Sequence, residues 1–370
     1  MLADPQEQET ALLITTGGLA DFDAYLEKLS RFVFRSGTIM KPMYTRAKKD
    51  PKRMIYAEGE DVRTLRAVQI GLDEGLAKPV VVGRPRVVAS RIKKLGLRIE
   101  TGRDFELINP QNDLRYHEFW SAYHKIMERK GVSPDLARTV VRTDTTVIAA
   151  LAVRLGYADA MICGLEGGYR RNLKQVIRVI GRAKGVREIS ALSVLVLGHG
   201  SYFLSDTHVT VDPSAEELAE MTVLAAHHVR RFGIEPKIAL LSHSSFGSSP
   251  APCAAKVRRA LAILHQNHPE LEVEGEMRGD AALDETIRAR LFPNTRLSQP
   301  ANLLIMPSLD AANIAYNLVR VLGDGLPVGP VLIGTAMPAH VLNSSVTARG
   351  VVNLTAVAVV DAQDRETAVS

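Results

Sequence analysis

A chain of 370 residues is longer than one small core requires and leaves room for roughly two to three domains. With 46% hydrophobic and 24% charged residues it is not collagenous, low-complexity or wholly disordered. Its 46 Lys and Arg against 41 Asp and Glu leave a net charge of +5, no electrostatic footprint for nucleic acid over this length, and 5% aromatics offer few stacking platforms.

The opening MLADPQEQETALLITT is acidic and lacks the basic-then-apolar order of a secretory signal. No run approaches the roughly 18 uninterrupted apolar residues of a membrane span, so a cytoplasmic protein with no membrane partner is expected. After this leader, residues 20–33 (ADFDAYLEKLSRFV) place apolar side chains at helical spacing, which predicts a linker helix packed on a neighbour.

Apolar runs bounded by Gly or Pro then alternate with amphipathic segments. The predicted strands are 53–57, 79–83, 160–164, 191–197, 237–242, 303–307, 331–334 and 351–360. The predicted helices include 61–75, 134–155, 215–232 and 311–322. Ser133 before Pro134 supplies a cap and a first-turn proline, and Ser214 with Glu217 has the spacing of a capping box. Alternating strands and helices imply an α/β fold with largely parallel sheets.

Neither a GxGxxG nor a GxxxxGK[ST] fingerprint is present, so no dinucleotide or nucleotide loop is inferred. Cys163 and Cys253 have no CxxC partner and no zinc-type neighbours, and both are expected as buried reduced thiols. The loop LSHSSFGSS at 241–249 follows a strand and can offer amides and hydroxyls to an anion. Ser-His adjacency in sequence points the two side chains apart, which argues against a nucleophilic serine there. Glu274, Glu276, Asp280 and Asp284 straddle a strand end and a helix start, where helix capping explains them more simply than a metal. His227 and His228, beside Arg230 and Arg231, read as a solvated helix face.

Residues 301–354 (ANLLIMPSLDAANIAYNLVRVLGDGLPVGPVLIGTAMPAHVLNSSVTARGVVNL) run strand, helix N-terminus, strand, polar loop, an anion-friendly crevice at strand carboxyl ends. This stretch closely resembles the carboxyl-terminal signature of the phosphate acetyltransferases, or phosphotransacetylases. Further matches lie in order along the chain: Glu58 through Leu65, Ala158 through Gly164, Asp206 with Pro213, Leu241-Ser242, and Gly275-Glu276 through Ala282.

The departures from that family are as informative as the matches. In the transferases a Ser-Arg pair and an Asp seven residues after the Ser serve the chemistry. Ungapped alignment from Pro338 puts Asn343, Ser344 and Gly350 at those places. Of the arginines that hold substrate phosphate, one is matched by Arg63, one falls on Lys174, which lacks the bidentate fork, and one falls on Met127. Arg349 adds charge but cannot act as a base. The same losses on the same fold mark the carboxyl-terminal domain of the large bacterial NADP-dependent malic enzymes, which residues 21–37 and 338–350 also resemble.

The resemblance implies a two-lobed, phosphate acetyltransferase-like (isocitrate/isopropylmalate dehydrogenase-like) α/β fold with parallel and mixed sheets. Residues 1–39 would form the leader and linker helix, 40–184 plus 333–370 lobe one, and 185–332 lobe two. It further implies a regulatory domain that binds acetyl-CoA or a related acyl-CoA as allosteric effector and holds a homo-oligomer, dimeric through this domain. No catalytic residue, metal or cofactor is expected in this chain. Malate, NADP and a divalent metal would belong to an amino-terminal catalytic domain, the partner of this one. Arg63, Lys174, Ser242, Asp310, Asn313, Asn343, Ser344 and Ser345 are the residues expected to line the cleft. The alternatives are an active phosphate acetyltransferase and a dimerisation module without a ligand.

Overall fold

The computed structural model describes residues 37 and 39–369; the predicted linker helix at 20–33 lies outside them. A first helix, α1, covers 39–49. Strands β1 (Lys52–Tyr56), β2 (Ala77–Val82), β3 (Glu106–Ile108) and β4 (Ala160–Cys163) follow, with helices α2 (Val62–Asp73), α3 (Pro85–Leu95), α4 (Tyr116–Met127), α5 (Pro134–Thr143) and α6 (Thr145–Arg154) between them. Helix α7 (Tyr169–Val179) then leads to β5 (Ser190–Leu197), β6 (Gly200–Ser205), α8 (Ala215–Arg231), β7 (Ile238–Leu241), α9 (Pro252–Asn267) and β8 (Val273–Met277). Two short helices, α10 (Gly279–Leu283) and α11 (Glu285–Leu291), precede β9 (Leu303–Ile305), α12 (Leu309–Leu322), β10 (Leu326–Ile333), β11 (Ala339–Val341) and α13 (Ala348–Val369).

The strands form two sheets. The first has the order β11-β4-β1-β2-β3, with every pairing parallel. The second runs β10-β5-β6-β9-β7-β8 and is mixed, because β5 pairs antiparallel with both β10 and β6. All six strands of the second sheet fall between β4 and β11, which are neighbours in the first. A single apolar cluster runs from one face of the first sheet (Met54, Tyr56, Ile162) to one face of the second (Leu192, Phe203, Leu303).

Helix α13 is the axle of that cluster. Residues 351–362 are buried on every side, and the helix packs on α2, β1 and β4 and on β10. This corrects the predicted strand at 351–360. The run VVNLTAVAVV is rich in β-branched residues, but a helix buried all round carries no polar stripe and cannot be told from a buried strand by periodicity. A second correction splits the predicted helix 134–155. Asp144 has an extended backbone (φ −114°, ψ 98°), ends α5, and accepts Val147 N–H as the cap of α6. The Ser133 cap and the Ser214–Glu217 capping box form as the sequence indicates. Strands β3, β6 and β11 were not anticipated, and β8 was anticipated only as a strand end beside the acids at 274 and 276. Among the described residues no helix is long and apolar enough to cross a membrane.

Candidate functional site

The loops that leave β1, β4 and β11 meet at the carboxyl edge of the first sheet, and Arg63 ties them together. Asp61 caps α2 by accepting Arg63 N–H at 2.7 Å, which brings the two side chains together. Asp61 then takes Arg63 Nε at 3.0 Å and Nη2 at 2.8 Å. Arg63 Nη1 donates to the carbonyls of Ser344 (2.6 Å) and Val346 (3.2 Å), and Nη2 donates to Leu165 O at 3.1 Å. All five guanidinium N–H groups are thereby engaged, and the charge is matched by Asp61. Beside it, Asn343 Oδ1 accepts both the N–H (3.2 Å) and the hydroxyl (2.7 Å) of Ser345. Gly164 permits this close meeting of loops: at φ +102° it lies so near Leu342 that a Cβ would sit 2.2 Å from the Leu342 carbonyl oxygen.

Next to this hub lies a cleft of about 290 Å³ lined by Glu58, Glu60, Arg84, Arg142, Thr145 and Glu166, among others. Glu58 is buried and accepts Gly164 N–H at 2.8 Å. Burial pushes its carboxyl up to about 7, assisted by the nearby charges of Glu166 and Asp61 and opposed by the Gly164 amide. Arg84 is held by Glu60 at 2.7 Å, and Arg142 lies 4.4 Å above the Tyr116 ring. The cleft is therefore polar, but its cations already have partners.

The loop after β6 is organised by Asp206. This buried carboxylate accepts the N–H groups of Ala191 (3.0 Å), His208 (2.9 Å), Val209 (3.1 Å) and Thr210 (2.7 Å). Burial still pushes its pKa up, against those amides. The loop reaches α7 through His208, whose ring centroid is 4.8 Å from that of Tyr169. The Tyr169 hydroxyl is buried without a hydrogen-bond partner, and its pKa is raised well above the usual value by burial and then by Asp206 and Cys163. Burial holds His208 neutral, with a pKa down to about 4. Asn313 on α12 donates to Thr207 O at 3.2 Å, which ties that helix to the same loop.

Of the eight expected residues, then, Arg63 and Ser344 meet directly, as do Asn343 and Ser345. Asn313 joins the contact line through Thr207 and His208 to Tyr169. Lys174 and Asp310 are exposed on α7 and α12, and Ser242 stands at the end of β7, where it accepts Ser244 N–H at 3.3 Å. Sequence reasoning passed over Glu58, Tyr169 and His208. Glu58 alone left a signal, an acid directly after an apolar strand.

Other readings are corrected. His228 is buried, not solvated, and burial lowers its pKa to about 3, whereas His227 is exposed. Cys163 is buried as expected, but Cys253 is exposed. The four acids of the 274–284 stretch do not converge. Glu276 anchors the loop after β7 by accepting Ser244 Oγ (2.6 Å) and Gly247 N–H (3.0 Å), while Glu274 accepts Arg296 N–H at 2.9 Å. Asp284 caps α11, and Asp280 faces Arg278 at 2.9 Å. Among the described residues no group of three or more His, Cys, Asp or Glu could hold a metal ion.

A parallel sheet joined to a mixed one, with polar loops gathered at strand carboxyl ends, is the architecture shared with the solved phosphotransacetylases. Residues 38–359 match the sequence profile of the phosphate acetyl/butaryl transferases, and the chain belongs to that family. It is 52% identical over 349 residues to an NAD-dependent malic enzyme of Rhizobium meliloti, spanning 94% of this chain but 45% of that protein. It is 30% identical over 332 residues to a phosphate acetyltransferase of Clostridium acetobutylicum, covering 88% of this chain and 98% of that one. The solved phosphotransacetylase of Streptococcus pyogenes superposes with a TM-score of 0.82 at 27% identity, over 88% of this chain and 98% of that one.

Proposed function

We propose that this chain is the phosphotransacetylase-like, regulatory part of a malic enzyme. In this reading it binds acetyl-CoA in a degenerate acyl-transfer cleft, and the bound thioester biases a conformational equilibrium felt by a catalytic domain. The observation that carries the reading is the state of the Arg63 hub: the family's phosphate-binding arginine spends its N–H groups on Asp61 and on the carbonyls of Leu165, Ser344 and Val346. Acetyl transfer also needs a base for the coenzyme A thiol and donors for the developing oxyanion. Asn343, Ser344 and Gly350 supply no carboxylate and no cation at the matching positions. The 52% identity to a malic enzyme, of which this chain spans 45%, supports a parent with malic-enzyme chemistry and a separate nucleotide and metal site.

An effector works only if it binds one state better than the other, with a coupling of about 1–3 kcal/mol typical. Homo-oligomerisation is supported by α12, which leaves Ile314, Leu318, Val321 and Leu322 exposed along one face where a second copy would pack. Titration calorimetry with acetyl-CoA tests the effector claim: absence of heat and of a thermal shift at millimolar ligand would abandon it.

The second reading, an active phosphate acetyltransferase, is favoured by the match to 98% of the length of such an enzyme. A coupled assay with acetyl phosphate and coenzyme A separates the two, because turnover above background would sink the regulatory-only reading.

A further inference from the structure

The loop after β7 carries side chains that the acyl-CoA reading leaves unused. Cys253 is exposed on the first turn of α9, and its Sγ lies 3.8 Å from His243 Nδ1. On the other side of the ring, His243 Nε2 lies 3.2 Å from Ser249 Oγ, which also accepts Ala251 N–H at 3.2 Å. With Ser249 Oγ as the acceptor, the ring proton sits on Nε2 and the bare Nδ1 faces the thiol. The loop has a fixed base: Ser249 N–H donates to Ser244 Oγ at 3.0 Å, and Ser244 Oγ donates to the buried Glu276 at 2.6 Å. Helix α9 contributes its N-terminus. It is 16 residues long, its cap residue Ala251 offers no side chain to the free amides, and no acid lies in its first turn. The sulfur thus stands beside amides of that first turn that no side chain caps. A nucleophile, a base in reach and a group that orients the base are all present.

We propose that Cys253 is a nucleophilic thiol, with His243 as its base, that is reversibly S-thiolated by low-molecular-weight disulfides. His243 Nδ1 takes the thiol proton, and the Cys253 sulfur attacks one sulfur of the disulfide. A new Sγ–S bond forms as the old S–S bond breaks, and the departing thiolate takes the proton back from the imidazolium. The cysteine is oxidised to the disulfide level, and the released sulfur is reduced to a thiol. The reaction is with a small molecule because the chain has 2 cysteines, and the other, Cys163, is buried in the first lobe's core with its thiol pushed well up by that burial. No resolving thiol is available within the chain.

The test is a timed reaction of the full chain with oxidised glutathione at neutral pH, followed by intact mass and peptide mapping. One glutathionyl group is expected on Cys253 and none on Cys163, removable by dithiothreitol, at a rate about tenfold above that of a free peptide spanning 248–258. His243→Gln should bring the rate down to the peptide's, and Ser249→Ala should fall between, with far-ultraviolet circular dichroism confirming that each variant is folded. A wild-type rate no greater than the peptide's, or a folded His243→Gln variant that reacts as fast as wild type, overturns the proposal. If His243→Gln does not fold, the comparison of wild type with peptide decides alone.

Discussion

Asp361 Oδ2 lies 3.2 Å from His340 Nε2, and this contact joins the last strand of the first sheet to the middle of the buried helix α13. His340 Nδ1 accepts Leu332 N–H at 3.2 Å, which places the proton of the neutral ring on Nε2. Arg231 of α8 pairs with the same Asp361 and, through Nε at 2.7 Å, with Asp364. Three elements thus converge on one buried acid.

Removing that acid should be costly. The Asp361 carboxyl is held well below the usual carboxylate range by His228, Arg231 and His340, which outweigh the opposing effect of burial. Asp361→Ala leaves the largely buried Arg231 with Asp364 as its one remaining carboxylate and removes the acid beside His340, and about 2–4 kcal/mol of stability should be lost. Urea unfolding at neutral pH measures it; a loss under 1 kcal/mol would show that water or Asp364 takes over. The same cluster sets an acid limit. His228 is depressed from 6.5 to about 3, so the folded state resists its protonation and stability is lost as pH falls from about 6.5 toward 3. Asp361, also depressed, adds to that loss once pH drops below the usual carboxylate range. His228→Gln should flatten the fall in melting temperature between pH 6.5 and 4, and an unchanged slope would assign the acid sensitivity elsewhere.

Glu58 has the opposite sign. Burial raises its carboxyl from 4.5 to about 7, so its contribution is fully present below pH 4.5 and is lost as pH rises through 7. Glu58→Gln keeps the acceptor for Gly164 N–H and never ionises. The variant should match wild type near pH 5 and exceed it at pH 8.5 by on the order of 1–3 kcal/mol. Paired melts at the two pH values check this, and equal differences at both would mean that Glu58 is not protonated in the fold.

The family and the ends of several elements could be read in the sequence because their signals are local: Ser133 before Pro134, Ser214 three residues before Glu217, glycines closing apolar runs. What could not be read depends on neighbours distant in sequence. VVNLTAVAVV becomes helix because both sheets surround it, and no property of the run itself distinguishes that outcome from a strand. At the site, the resemblance placed Arg63 and the 343–345 turn only as lining of one cleft. That the guanidinium meets this turn and is saturated was not legible, since Leu165 O and Val346 O reach it from separate loops. His228 and Cys253 were misplaced because exposure is a tertiary property.

Arg63 acts first as a structural tie. Arg63→Lys retains one charge but cannot span Asp61 and three carbonyls at once. A loss of about 1.5–3 kcal/mol is expected without any ligand present, from the hydrogen bonds left unmade at a half-buried site. Thermal unfolding of the ligand-free variant measures it, and a melting temperature equal to wild type would return Arg63 to the role of a free anion ligand.

Restoring the transferases' acid should not by itself restore a transferase. Gly350 sits in the first turn of α13, and a Cβ added there would lie 2.5 Å from Val346 Cγ2. Gly350→Asp therefore forces Val346 and its turn to move, and about 1–3 kcal/mol of overpacking cost is expected. Trimming the neighbour removes the obstruction, so Gly350→Asp combined with Val346→Ala should recover part of that loss, although Val346→Ala alone is destabilising. Neither variant should turn over acetyl phosphate, since Asn343 and Ser344 still supply neither the serine nor the arginine of the transferase pattern. Melting curves of the single and double variants test the packing claim, which fails if Gly350→Asp melts with wild type. Turnover by Gly350→Asp alone would show that the carboxylate was the one missing group, and that the rest of the cleft still binds its old substrates.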